Sequence, residues 1–276
     1  MINNGKLHTF LDLKKNFTLS YFHAGDILDL LYNLHQMPAD GQKYFEDSIL
    51  TSVQLINFLK PQEMMGFYID SIDPKFMLKI EMNESGSLRT LLLPENFSEF
   101  PTKITGECRL TKMISSSSVP YTSIIKLENI SFSEIINQTL KESYQVEAKI
   151  SVFQHKPISV MIHRLPRTDM ATMDQEIENK MISKVINFYN TYSFQDEKEM
   201  IAEVEKLGFI YLRTRDIEFR CNCSRERMVS GLVHLSQGTS IDGLFENKNE
   251  LETRCDYCKT SYLITKDEVI KASKFN

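Results

Sequence analysis

The sequence has 276 residues, of which 42% are hydrophobic and 25% are charged, and its formal net charge is −5. This composition excludes an intrinsically disordered chain, because it supplies enough apolar surface for a real core and for two domains rather than one. No run of about 18 apolar residues and no signal-peptide pattern occur, so we expect a cytoplasmic protein without a membrane span.

Residues 1–165 are predicted to form a mixed α/β domain with an antiparallel sheet, and the expected fold class of the chain is α+β. Partly alternating apolar residues between Leu7 and Tyr21 indicate strands. Apolar residues at helical spacing predict helices at residues 26–37, 43–58 and 131–143. Alternation predicts further strands at residues 64–70, 75–82, 88–93, 108–113, 121–127, 146–153 and 157–164.

This region carries no recognisable catalytic motif. Its histidines never occur at a metal-ligand spacing such as H-x-x-x-H, and it has neither a GxSxG turn nor a glycine-rich phosphate loop. We therefore predict that the protein is not an enzyme. Cys108 lies in a strand-like run and is expected to be a small buried apolar side chain rather than a reactive thiol.

Residues 166–218 are predicted to form an acidic helical linker. Residues 168–218 contain six basic and eleven acidic side chains, a balance of −5 that equals the net charge of the whole chain. Apolar residues form one helical stripe from Met173 to Tyr189 and another from Met200 to Leu207, with Gly208 as its C-cap.

The start of the second linker helix is expected at Ser193, with Asp196 three residues later as an imperfect capping box. Two interpretations of the linker remain open. One is an ordinary solvated helix pair. The other is that like-charge repulsion leaves the helices dependent on docking to their neighbours, so that they can unfold when this docking is lost.

Four of the five cysteines lie in two pairs near the C-terminus, Cys221 with Cys223 and Cys255 with Cys258, and 31 residues separate the pairs. Thiolates are soft ligands that suit Zn²⁺, and two short-spaced pairs can supply four sulfurs to one tetrahedral ion. Residues 219–276 are therefore predicted to be a small zinc-binding domain that holds one Zn²⁺.

Local signals predict helices beside both pairs. Ser224 is expected to cap a helix at residues 225–235, and Thr265 with Glu268 forms a capping box that opens a terminal helix. His234 lies one helix away from the first pair. It is not expected to bind the metal, because four thiolates already satisfy a structural zinc ion.

The four cysteines allow two interpretations. Spacing alone favours a structural staple that folds a domain with too small a core to stand alone. The alternative is a thiol switch that zinc holds reduced and an oxidant opens. Neighbouring cations favour thiolate over thiol, although they equally offset the negative charge of a four-thiolate zinc site. These cations are Arg220, Arg225, Arg227, Arg254 and Lys259.

The run Phe-Arg-Cys-Asn-Cys-Ser-Arg-Glu-Arg at residues 219–227, followed by Cys255-Asp256-Tyr257-Cys258 and Tyr262, resembles the redox-switch domain of the 33-kDa heat-shock protein family. Members of that family are oxidant-activated holdase chaperones. The order of elements upstream is also similar, so the resemblance covers the whole chain and is strongest after Phe209.

The resemblance implies a mechanism. Reduced, the four cysteines hold zinc and the holdase is inactive; oxidised, Cys221 pairs with Cys223 and Cys255 pairs with Cys258, zinc leaves and the linker unfolds. Residues 1–165 would then bind unfolding client proteins under oxidative stress. The resemblance also implies a homodimer in the oxidised state and ATP-dependent refolding chaperones downstream.

The sequence departs from the family pattern at two turns. Asp70-Ser71-Ile72-Asp73-Pro74 stands where the family usually has Gly-Asp-Gly, and Tyr121-Thr122-Ser123 stands where it usually has Tyr-x-Gly. These changes concern the domain to which the resemblance assigns client binding and dimerisation.

A different hypothesis is a constitutive zinc-ribbon adaptor that recruits a partner protein and never switches. A nucleic-acid binder is disfavoured, because residues 219–276 carry nine basic and eight acidic side chains and so lack a basic footprint. A zinc hydrolase is disfavoured as well, because four protein thiolates leave no open coordination position.

Overall fold

A computed structural model of the chain describes residues 4–12, 17–95, 97–98, 103–114, 117, 119–153, 156–166, 183–185, 187–188 and 196–274. The chain divides into two compact units, Met1–Phe219 and Arg220–Asn276. The predicted α+β fold class is confirmed, with a large, mostly antiparallel sheet in the first unit and a cysteine cluster in the second. The division at residues 165 and 218 stays a prediction.

The described part of the first unit contains ten strands in one sheet. They are β1 Asn4–Asp12, β2 Phe17–His23, β3 Met64–Asp73, β4 Phe76–Asn83, β5 Ser87–Leu93, β6 Ile104–Met113, β7 Tyr121–Ile130, β8 Ala148–Val152, β9 Ile158–Arg164 and β10 Ile210–Phe219. Their order across the sheet is β7-β6-β3-β4-β5-β10-β1-β2-β9-β8. The strands predicted from alternation are all present, and several extend by up to four residues at one end.

The described helices of the first unit are α1 Ile27–Leu34, α2 Ala39–Val53, α3 Phe132–Glu142 and α4 Glu197–Lys206. Helix α2 begins four residues earlier than predicted, because the extended Pro38 accepts hydrogen bonds from the amides of Gly41 and Gln42 and so closes the first turn. The predicted end at Phe58 is correct for the helical stretch as a whole, although residues Gln54–Phe58 tighten into a 3₁₀ helix.

The main core lies between helices α1 to α3 and one face of the sheet. Strand β4 buries every second residue, as expected for a strand with one covered face. The buried helix residues in this core include Phe45, Ile49, Val53, Ile135, Ile136 and Leu140. Cys108 of β6 is fully buried in this core, and burial raises the pKa of its thiol, so it is a neutral apolar group as predicted.

Strand β10 lies in the middle of the sheet, within the segment that the sequence assigns to the linker. It pairs antiparallel with β1 from Asn4↔Glu218 to Leu11↔Ile210, but it pairs with β5 in parallel at only two positions, Glu218↔Ser87 and Phe219↔Leu88. The sheet therefore consists of two five-stranded halves that meet at this short parallel join.

Gly86 allows the two halves of the sheet to lie close together at their join. Its φ is +100°, and an added Cβ would lie 2.0 Å from the carbonyl oxygen of Asp216. Its own carbonyl accepts a hydrogen bond of 3.0 Å from the amide of Glu218. Only glycine fits here, since any side chain would collide with the backbone of β10.

Helix α4 is held to strands β1 and β10 by an apolar face and by an acidic side chain near each end, of which Glu205 accepts a hydrogen bond of 3.4 Å from the amide of Tyr211. Met200 and Val204 are buried in a second core cluster with Phe10 and Leu19. At the N-terminal end of the helix, Glu197 accepts a hydrogen bond of 3.0 Å from the hydroxyl of Thr214 and forms an ion pair of 3.2 Å with Lys6.

His8 completes this polar contact. Its Nδ1 lies 2.9 Å from the Thr214 hydroxyl and 3.7 Å from Glu197, and burial lowers the pKa of the imidazole to about 4. His8 is therefore neutral at pH 7, as a hydrogen-bonded histidine should be.

The predicted helix start at Ser193 falls outside the described residues. The observed N-cap of α4 is Asp196, whose side chain accepts a hydrogen bond of 2.7 Å from the amide of Glu199. Of the predicted first linker stripe, the structure describes Val185, which is buried.

The second unit contains helices α5 Arg225–Leu235, α6 Ile241–Phe245 and α7 Lys266–Ser273 and the hairpin β11 Glu250–Arg254 with β12 Ser261–Thr265. The predicted caps are confirmed: Ser224 accepts from the amide of Arg227, and Thr265 with Glu268 forms a full capping box. The hairpin and α6 were not predicted.

The core of this unit is small. Its buried cluster consists of Val229, Leu232, Val233, Phe245, Ile264 and Val269. A domain of this size buries too little apolar surface to be comfortably stable alone, so a metal staple suits it. Among the helices of the described ranges, none is both long and apolar enough to cross a membrane.

Candidate metal centre

The two cysteine pairs are placed by different elements of the second unit. Cys221 and Cys223 follow directly on Phe219, and the Ser224 cap that opens α5 fixes the chain after Cys223. Cys255 follows β11, and Cys258 precedes β12, so the second pair occupies the turn of the hairpin.

Backbone hydrogen bonds shape the hairpin turn. The amide of Lys259 donates to the carbonyl of Cys255 at 2.9 Å, and the amide of Cys255 donates to the carbonyl of Thr260 at 2.9 Å. Lys259 takes a left-handed conformation with φ of 60°, which reverses the chain. Both sulfurs of this pair therefore lie on the inside of one tight turn.

The structure brings together all four sequence-predicted ligands. Their sulfurs lie within 4.8 Å of one another, with 3.7 Å between Cys221 and Cys255 and 3.3 Å between Cys223 and Cys258. A tetrahedral ion with bonds of about 2.3 Å requires sulfurs about 3.8 Å apart. The cluster can therefore hold one metal ion. His234 is exposed and is not part of the cluster.

Two hydroxyl groups contact the sulfurs. The Tyr262 hydroxyl lies 3.1 Å from the sulfur of Cys223, and the Thr260 hydroxyl lies 3.2 Å from the sulfur of Cys258. Sequence reasoning noted Tyr262 only as part of a motif and missed Thr260. The available signal was their position, since Thr260 and Tyr262 follow Cys258 by two and four residues and Tyr262 lies in β12.

Without a metal ion, the thiols of Cys221, Cys223 and Cys258 differ in acidity. Burial raises the pKa of Cys221 to about 12 and also raises the pKa of Cys223. Burial opposes ionisation of Cys258 too, but hydrogen bonds from Thr260 and the neighbouring thiols of Cys223 and Cys221 bring its pKa down to about 6. Of these three thiols, Cys258 therefore ionises most readily.

The structure gives one of the flanking cations, Arg225, a carboxylate partner. The guanidinium of Arg225 donates two hydrogen bonds to the carboxylate of Glu268, at 2.7 and 3.0 Å, and a third of 2.6 Å to the carbonyl of Leu263. This pairing holds the pKa of Glu268 at about 2. Arg225 is thus committed to a carboxylate, and its charge does little to favour thiolates.

The sequence profile described as Hsp33 protein matches residues 5–265 of this chain. A 33 kDa chaperonin of Bacillus pumilus (strain SAFR-032) is 32% identical over 114 residues, which are 40% of this chain and 37% of the relative. A 33 kDa chaperonin of Pectobacterium carotovorum is 24% identical over 52% of this chain and 51% of the relative. The chain thus spans between about a third and a half of the length of these relatives.

A longer alignment joins the chain to the 33 kDa chaperonin of Photorhabdus laumondii, which is 19% identical over 98% of this chain and 96% of the relative. Among solved structures, a 33 kDa chaperonin (heat shock protein 33 homologue) from Thermotoga maritima superposes with a TM-score of 0.75 at 15% identity. That match covers 99% of this chain and 98% of the other, and it shows a common fold.

Proposed function

The chain belongs to the Hsp33 protein family, and from this premise we propose that it is a redox-regulated holdase chaperone whose switch is the four-cysteine cluster. The observation that carries the proposal is the convergence of Cys221, Cys223, Cys255 and Cys258 within 4.8 Å in the second unit. A cluster of four thiols and no other ligand type suits a soft or borderline ion.

We propose Zn²⁺ as that ion, one per chain, with the four cysteines as its ligands. Zinc prefers tetrahedral sulfur sites, and the distances of 3.3 and 3.7 Å between two pairs of sulfurs are close to what such a site needs. Metal binding to a small domain of this kind contributes of order 10 kcal/mol to its folding. The ion would therefore decide whether the second unit is folded.

Oxidation would then convert thiolates into disulfides. Two thiolates lose two electrons to form one disulfide, and one hydrogen peroxide takes up these electrons with two protons to become two water molecules. Two disulfides per chain consume two peroxide molecules, and disulfide sulfurs no longer bind the metal. The family resemblance assigns the bonds to Cys221–Cys223 and Cys255–Cys258.

This pairing differs from two of the close sulfur contacts in the reduced cluster. In the reduced cluster two close approaches run crosswise, from Cys221 to Cys255 and from Cys223 to Cys258. Formation of both disulfides within the sequence pairs would separate the two halves of the cluster, which would leave the second unit with its small core alone. Peptide mapping of the oxidised protein distinguishes the two pairings.

The remaining parts of the proposal follow from the family. Residues 166–218 would serve as a linker that loses order on oxidation, and residues 1–165 would bind unfolded client proteins. The oxidised form would be a homodimer, act in the cytoplasm and pass its clients to ATP-dependent chaperones. Its work would be binding and not catalysis.

The test begins with the reduced full-length protein. We expect one zinc per chain by elemental analysis, and peroxide should release it while the count of free thiols falls from five to one, with Cys108 remaining. Oxidised protein should then suppress the aggregation of a heat-denatured client, and reduced protein should not. Cys258→Ser should abolish the switch, whereas Cys108→Ser should keep it.

The same experiment can reject the proposal. Reduced protein without zinc would contradict the metal site. Protein that keeps its zinc in peroxide and gains no activity would instead support a constitutive zinc-ribbon adaptor, for which the small core of the second unit is the favouring observation.

A further inference from the structure

Tyr262 lies outside the set of four thiols but contacts it. Its backbone is in β12 on the same side as the buried Ile264, and its ring packs against the core of the second unit. Its hydroxyl extends past this core to within 3.1 Å of the Cys223 sulfur. The apolar ring thus contacts the core of the second unit, while the polar hydroxyl contacts the cysteine cluster.

The hairpin holds Tyr262 in place. Its backbone pairs with Thr253 of β11, and the Thr253 hydroxyl donates a hydrogen bond of 3.2 Å to the Tyr262 carbonyl. The same hairpin carries Cys255 and Cys258 in its turn. Tyr262 therefore reaches from the element that carries one cysteine pair to a sulfur of the other pair.

The direction of this hydrogen bond follows from chemistry. A sulfur that binds a metal is a thiolate without a proton, so the phenol must be the donor. A hydrogen bond to a charged ligand stabilises the thiolate, which favours metal binding over protonation of the sulfur. It also withdraws electron density from the sulfur, which lowers the reactivity of the sulfur toward peroxide.

We propose that Tyr262 is a positioning residue that donates a hydrogen bond to the Cys223 thiolate and so raises the oxidant level needed to open the cluster. The inference rests on the proposed function, because it concerns regulation of the same site. The Thr260 hydroxyl, 3.2 Å from the Cys258 sulfur, is placed to act in the same way on the other pair.

The test compares full-length wild-type protein with Tyr262→Phe, which keeps the ring and removes only the hydroxyl. We expect zinc to bind about tenfold more weakly in competition with a chelator and to be released correspondingly faster by peroxide. In the cobalt-substituted proteins, the sulfur-to-metal charge-transfer band should move to lower energy, because the sulfur regains electron density. Ser236→Ala removes a hydroxyl that bonds to the Val233 carbonyl in α5 and should change none of these values.

A second replacement keeps the test valid if Tyr262→Phe does not fold. Incorporation of 3-fluorotyrosine at position 262 preserves the ring and strengthens the donor, so peroxide should release zinc more slowly than from wild type. Equal release rates and an unchanged cobalt spectrum in both replacements would overturn the inference. Wild-type protein that never binds zinc would overturn the proposed function instead, so the two failures are distinguishable.

Discussion

Arg225 joins two segments of the second unit that are 43 residues apart in the sequence. It follows Cys223 by two positions, and its partner Glu268 is also the residue that caps α7 through the backbone and hydroxyl of Thr265. The pair thereby ties the start of the helix after the first cysteine pair to the end of the hairpin that carries the second pair. We expect it to hold the ligands together before the metal binds.

A double-mutant cycle tests this at the residue scale. Arg225→Gln should weaken zinc binding by less than about fivefold, since the pair is partly exposed to solvent and worth little by itself. Glu268→Gln should weaken it as well, and the double variant should bind zinc no more weakly than the worse single variant. If the losses of zinc affinity in the two single variants simply added in the double variant, the two side chains would not act as a coupled pair. Competition with a chelator measures the zinc affinity of the wild type and of the three variants.

Single residues were predictable from the sequence where their signal is local. The four cysteines and the caps Ser224 and Thr265 depend on spacings of one to three residues, and the structure brings the cysteines together and confirms both caps. The partner of Arg225 was not predictable, because nothing within a few residues points to position 268. An electrostatic role beside the thiols was the natural hypothesis for an arginine in this motif, and the structure adds a bond to Glu268.

At the scale of elements, the N-terminal end of helix α4 depends on the Glu197 carboxylate for its polar attachment. Glu197→Gln should remove the ion pair with Lys6 while keeping a hydrogen-bond acceptor for Thr214. Amide exchange in residues 200–206 should then become roughly two- to fivefold faster, which hydrogen-exchange mass spectrometry measures.

The matched control for this prediction is Glu203→Gln. Glu203 pairs only with Lys206 of the same helix among its described ion pairs, so its loss should leave the attachment of α4 unchanged. Equal effects of the two substitutions would show that Glu197 does not contribute to the attachment of α4.

Elements with strict alternation were predicted well, because period-two burial is visible in the sequence. Strand β10 shows little of it: Ile217 is its only fully buried residue, and its neighbours in the sheet are β1 and β5, more than 100 residues away. The acidic composition of residues 168–218 further favoured a helical linker. The central position of β10 depends on pairing with strands that are distant in the sequence, and composition and periodicity do not predict such pairing.

At the scale of the whole molecule, the position of β10 predicts where the chain can be shortened. A fragment of residues 1–165 lacks β10, so β1 becomes an unpaired edge and the two halves of the sheet lose their join. We expect this fragment to self-associate or aggregate, whereas a fragment of residues 1–219 should stay monomeric with its sheet intact. Size-exclusion chromatography with light scattering checks both.

The loss of β10 would also affect client-binding assays on the 1–165 fragment. An exposed β1 edge would bind unfolded chains by strand pairing, so a fragment ending at residue 165 would score as a chaperone through an edge that β10 covers in the folded protein. A soluble, monomeric 1–165 fragment with native amide protection would contradict the predicted dependence of the sheet on β10.

Because Cys108 is completely buried, the rate at which its thiol is labelled can report transient unfolding of the first unit. A bulky alkylating reagent can reach this sulfur only while the first unit is transiently unfolded, so the rate of mass gain at this one position reports the free energy of that opening. Labelling before and after peroxide treatment would therefore show, without any fluorophore or engineered probe, whether an oxidative event at one end of the chain loosens the packing at the other.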